Sequence, residues 1–183
     1  MQLNSFSLFV LSISMLVSHI SATKRQYGPN PDQVIEDLED ILRQTVQLEY
    51  DLASFLAEPC TEAAPFMDDF TYVISFLNRV PADVVAGGPW DSTVASASAT
   101  IAYEAQAYTR FGSDLLNALI GNVTVMPDWQ RATVLEYLQE GDTAMVNMFT
   151  ALINGLGESY FAGFSAAINQ FEALWLHAIS VYS

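Results

Sequence analysis

The chain has 183 residues, six of them Lys or Arg against 21 Asp or Glu, a net charge of −15, with 51 % apolar residues and one cysteine. So acidic a chain is poorly suited to a nucleic acid's phosphate backbone or an anionic membrane. A single cysteine excludes an internal disulfide, so stability has to come from an apolar core.

Residues 1–22 read as a secretory signal, with an apolar stretch from Phe6 to Val17 and a cleavage position after Ala22. That stretch is too short to span a bilayer, which needs about 20 apolar residues. Lys24 and Arg25 form a dibasic pair of the kind processing proteases cut, so residues 23–30 read as a leader and 31–183 as one bundle domain. The expected location is therefore secreted, outside the cell. All 21 acids follow Arg25 and meet four arginines there, a net −17, and their ordinary role is to solvate the outer faces of helices. Cys60 is expected to be a small buried residue, with an intermolecular bridge as the alternative.

The first helix is the clearest. Asn30 can cap it, Pro31 suits its first position, Gln33 can reach back to the cap, and Asp32, Glu36 and Asp37 sit where the helix dipole favours acids. Its inner stripe reads Leu38, Ile41, Thr45, Leu48, Leu52 and Phe55, in steps of three and four, and it ends before Pro59. A second helix, expected to be the shortest, carries Phe66, Phe70, Val73, Leu77 and Val80 until Pro81 stops it. Pro81 to Trp90 then reads as an apolar Gly-Gly-Pro connector. A third helix is capped by Asp91 or Ser92, lined by Val94, Ala97, Ile101, Ala105, Tyr108, Phe111, Leu115 and Leu119, and stopped at Gly121-Asn122.

Helix four begins near Pro127, shows Val134, Leu138, Met145, Phe149 and Leu152, and has Gly141 as a weak point costing about 1 kcal/mol against Ala. The last stretch, Glu158 to Tyr182, carries Phe161, Phe164, Ile168, Phe171, Trp175, Ala178 and Tyr182 on one stripe. Leu174, Leu176, Ile179 and Val181 widen it until the helix is expected to be surrounded by the others. The fold class that follows is all-α, an antiparallel bundle of about five amphipathic helices.

The search for chemistry finds little. His177 is the one histidine after residue 25, its nearest upstream acid, Glu172, lies five residues away, and no Glu-x-x-His spacing for a metal occurs. The acids at 32–40 and at Asp68-Asp69 lack the spacing of a calcium loop. No Gly-x-Ser-x-Gly elbow accompanies the serines. Neither an enzyme nor a cofactor is expected. Asn122-Val123-Thr124 is a glycosylation sequon in the expected loop between helices three and four.

The final helix has the form Ala-x-x-x-Phe-x-x-x-x-x-x-Ala-Ile-x-x-Tyr at Ala167, Phe171, Ala178, Ile179 and Tyr182. With the leader and the opening Val34-Ile35-Glu36-Asp37-Leu38-Glu39-Asp40-Ile41, it resembles the fungal hydrophobic surface-binding protein A and cell-wall galactomannoprotein family. That resemblance implies a non-catalytic wall-associated protein that adsorbs to apolar surfaces, some relatives holding a fatty acid inside the bundle.

Three functions compete. The first is adsorption to hydrophobic surfaces or cell-wall components. In an up-and-down bundle Val84, Val85, Trp90 and Leu156 gather at one end as a contact patch, while Cys60 and the sequon lie at the other with Trp129. The second is a carrier holding a fatty acid or similar lipid, lined by Phe66, Phe70, Phe111, Phe164, Phe171 and Trp175. A secreted effector acting on a host protein is a third.

Overall fold

The computed structural model describes residues 31–57, 63–87, 95–156, 160 and 165–183. The signal and leader, Cys60, Trp90, the cap at Asp91 or Ser92, Phe161 and Phe164 lie outside the described residues. Five long helices make up the rest: α1 (Pro31–Ala57), α2 (Ala63–Gly87), α3 (Ala95–Asn122), α4 (Asp128–Leu156) and α5 (Ser165–Tyr182), with a short 3₁₀ turn, Val123–Val125, between α3 and α4. No strand occurs among the described residues.

Each helix packs chiefly on two others, and the succession α1, α2, α4, α5, α3 returns to α1, closing a ring. Individual contacts give the directions. The α1–α2 pair is antiparallel, since Asp37 reaches Asp83 at one end and Asp51 reaches Asp69 at the other. The α2–α4 pair is parallel, Phe70 stacking on Tyr137 at 5.3 Å early in both helices. The α3–α5 pair is also parallel, tied by Tyr108 against Phe171 and by the Tyr182 hydroxyl donating to the Leu119 carbonyl at 2.9 Å. Three helices thus run one way side by side and two return.

The α1 stripe is buried as its spacing predicts, from Leu38 to Phe55. The α2 helix departs from expectation, because it runs through Pro81 to Gly87 and is not the shortest. A proline there deprives the Leu77 carbonyl of its helical partner at a cost of about 3 kcal/mol. Val80, Val84 and Gly87 nevertheless continue the buried face, and Asp83 meets α1, so packing carries the helix two turns further.

The α5 helix also differs. It is 18 residues long and buries one narrow stripe, Ile168, Phe171, Trp175, Ala178 and Tyr182, against α3 and α4. It is not surrounded. A ring member has two neighbours, so Leu174, Ile179 and Val181 end half-buried at the seams, while Leu176 and His177 are exposed.

Two glycines decide how closely α5 approaches. A Cβ built on Gly112 of α3 would lie 2.5 Å from Phe171 Cζ, and one on Gly141 of α4 would lie 2.7 Å from Trp175 Cζ2. Both rings therefore sit in notches where only glycine leaves room. Gly112 also explains why Phe111, expected on the inner stripe, is 36 % exposed: the inward position at that turn is the glycine's.

Candidate functional site: an aromatic interior edged by paired acids

Aromatic rings fill much of the space between the helices. Phe55 stacks on Phe66 at 4.8 Å, Phe66 meets Phe70 edge-on at 5.9 Å, and Phe70 stacks on Tyr137, joining α1, α2 and α4. Further along the bundle Tyr108 meets Phe149 at 6.3 Å and Phe171 at 5.3 Å, and Phe171 meets Trp175 at 5.4 Å, joining α3, α4 and α5. Edge-on pairs set the positive rim of one ring against the negative face of another.

Buried polar tips need partners. Trp175 Nε1 donates to the Leu138 carbonyl at 2.7 Å, and the Tyr182 hydroxyl is held by Leu119. The Tyr108 hydroxyl, on a residue 1 % exposed, has no partner among the described residues. Burial alone pushes its pKa up, so it is a hydroxyl donor at any ordinary pH.

Among the described residues the interior contains no cation. Every Arg and His after residue 30, namely Arg43, Arg79, Arg110, Arg131 and His177, is exposed or half-buried. Arg43 pairs with Asp40 and Arg131 with Asp128 on their own helices, while Arg79 lies over Phe76 at 4.8 Å and Arg110 over Phe111 at 6.0 Å. No group of three or more metal-ligating side chains forms among the described residues.

Acids instead meet acids across the seams. Asp37 of α1 is 2 % exposed, its Oδ2 lacks a partner, and burial together with a hydrogen bond and the charge of Asp83 pushes its pKa up to about 7, with Arg79 and Gln33 opposing. Burial, then the Asp51 hydrogen bond and charge and the Asp68 charge, raise Asp69 to about 6. Burial and then the charge of Glu39 raise Glu104, burial raises Asp142, and burial and then Asp142 raise Glu172. Two carboxyls side by side cannot both ionise cheaply, so these pairs hold protons that free acids would release.

A groove of about 470 Å³ runs along the outer faces of α3 and α5, walled by Tyr103, Gln106, Arg110, Phe111, Ala167 and Gln170.

The residues singled out by sequence separate as follows. Phe66, Phe70, Phe171 and Trp175 are buried in the aromatic interior, whereas Phe111 belongs to the outer groove. Of the surface candidates, Val84 and Leu156 are core residues that seal the bundle's end, and Val85 is 52 % exposed. Little apolar surface therefore remains at that end among the described residues. At the opposite end Val125 and Trp129 are exposed, the latter 51 %, and Tyr50, Tyr72, Tyr103, Phe111 and Leu176 are exposed elsewhere on the helices. Asn122 ends α3 half-buried, and the amide nitrogen that would carry a glycan donates to the Ala118 carbonyl at 2.8 Å. Sequence reasoning missed Tyr108 as an unpartnered donor and missed the acid pairs.

These features define, among the described residues, a closed, all-α ring with an aromatic, cation-free interior. No family model matches the chain, and a search of the curated proteins finds no match in sequence. Among solved structures it is similar to Afmp4p, solved in complex with palmitic acid, with a TM-score of 0.75 at 15 % identity, covering 84 % of this chain and 100 % of Afmp4p. At that identity the likeness is one of fold.

Proposed function

We propose that this chain is an exported, non-catalytic carrier that holds a fatty acid or similar lipid within its ring of helices. The observation that carries the reading is the fold it shares with Afmp4p, whose structure was solved with palmitic acid. The interior of this chain suits an acyl chain in kind, being apolar and rich in aromatic rings. The described interior is filled by its own side chains, so uptake requires helices to part. The seams edged by paired acids are where ionisation would ease that parting.

Adsorption to hydrophobic surfaces or cell-wall components is the second reading, favoured by the exposed Val125 and Trp129 together at the α3–α4 junction. An apolar pair of this kind is small beside the patches that mark strong interaction sites, which places adsorption behind lipid carriage.

Native mass spectrometry of the protein purified from its source tests the carrier reading. A co-purifying lipid of defined mass is expected, and the delipidated protein should take up palmitic acid with one-to-one stoichiometry. Neither a bound lipid nor uptake would overturn it. Retention of Val125→Asp/Trp129→Ala on hydrophobic beads at the wild-type level would remove the adsorption reading.

A further inference from the structure

The Tyr108 hydroxyl is a donor that the fold keeps away from water and leaves without an acceptor. Its ring packs against those of Phe149 and Phe171, contributed by two other helices. The other two polar aromatic tips described above, those of Trp175 and Tyr182, are committed to backbone carbonyls. A buried donor without an acceptor is costly, and an interior that retains one is suited to a guest that brings the acceptor. Among the described residues that interior holds no guanidinium or imidazolium to neutralise a carboxylate, and an unpaired anion among aromatic rings pays a large desolvation penalty.

Resting on the carrier reading above, we propose that Tyr108 is the head-group anchor of the interior, its hydroxyl donating to the carbonyl oxygen of a long-chain lipid that enters uncharged, as a protonated fatty acid or an ester. The arrangement selects against the ionised acid. Burial raises the pKa of the Tyr108 hydroxyl, so it keeps its proton at ordinary pH and the pH dependence of binding belongs mainly to the guest. Asp37, Asp69, Glu104, Asp142 and Glu172 titrate abnormally in the same protein, and an ester, which does not titrate, separates their effect from the guest's.

The experiment titrates the delipidated chain with palmitic acid, methyl palmitate and hexadecane at pH 5 and pH 7.5, following intrinsic tryptophan fluorescence. Palmitic acid should bind about 200-fold more weakly at pH 7.5, as the neutral fraction of a carboxyl titrating near 4 to 5 falls, while the ester changes far less. Tyr108→Phe, which removes one unpartnered oxygen, should keep its melting temperature. It should weaken the acid and the ester by about five- to tenfold at pH 5 and leave hexadecane unchanged, a pattern that a merely structural role would not produce. Equal binding of palmitic acid at both pH values would overturn the uncharged head. Unchanged ester affinity in Tyr108→Phe would overturn the anchor, as would a loss of acid binding in Arg110→Ala but not in Tyr108→Phe, which would put the head in the outer groove. If none of the three lipids binds wild type at either pH, the carrier reading itself fails.

Discussion

Replacing Asp37 with Asn should flatten the dependence of stability on pH. The carboxyl titrates at 3.8 as a free group and at about 7 in the fold. Between those values the folded chain binds the extra proton, so stability falls as pH rises: the contribution is complete below 3.8 and lost above about 7. At about 1.4 kcal/mol per pH unit the difference integrates to about 4 kcal/mol. Asp37 is covered but shallow, near the rim of the α1–α2 seam, with Arg79 and Gln33 opposing the shift, so about 2 to 3 kcal/mol is the fairer expectation. Asn keeps the shape and can donate to Asp83 without a proton. Urea unfolding followed by circular dichroism at pH 4.5, 6 and 7.5 spans about 70 % of that titration, so wild type should lose about 1.5 to 2 kcal/mol more stability than Asp37→Asn across the range. Equal slopes would refute the shared-proton account of the seam.

Gly141→Ala and Gly121→Ala should move stability in opposite directions, although both replace a helical glycine. The first drives a methyl to 2.7 Å from Trp175 and should cost about 1 to 3 kcal/mol, while the second meets nothing within 4 Å and should gain about 0.5 to 1 kcal/mol, both read as melting-temperature shifts. Trp175→Ala leaves a cavity and orphans the site facing the Leu138 carbonyl, so a loss of about 3 to 5 kcal/mol in chemical denaturation is expected. Tyr182→Phe removes one buried hydrogen bond between α5 and the end of α3, and hydrogen exchange should quicken there, with a loss of about 1 kcal/mol.

Much of the fold is legible in the sequence because burial on a helix repeats every three to four residues. The stripes of α1 and α4 could be read straight off. What the period does not carry is the partner across the seam. Asp37 falls on the inner spacing, between Val34 and Ile41, yet it looks like a dipole-favoured acid until α2 brings Asp83 to it. Gly112 and Gly141 also fall on the inner spacing of their helices, between Tyr108 and Leu115 and between Leu138 and Met145. A reading weighted by side-chain size passes over a glycine and chooses Phe111 instead. Pro81 misleads for a related reason, since a local penalty of a few kcal/mol is outweighed by contacts the local sequence does not contain. The anchor at Tyr108 was the least legible of all, because a hydroxyl without a partner is defined only once every neighbour is placed.

The two notches that receive α5 belong to different helices, Gly112 to α3 and Gly141 to α4, while the rings that fill them, Phe171 and Trp175, stand one turn apart on α5. Side-chain volume is therefore tied across the chain in two separate pairs. In any descendant that keeps this ring, a larger residue at 112 or 141 can persist only alongside a smaller one at 171 or 175, so the four positions should drift as two couples. The same interlock fixes the lengthwise position of α5 against two helices at once, like a key cut with two teeth.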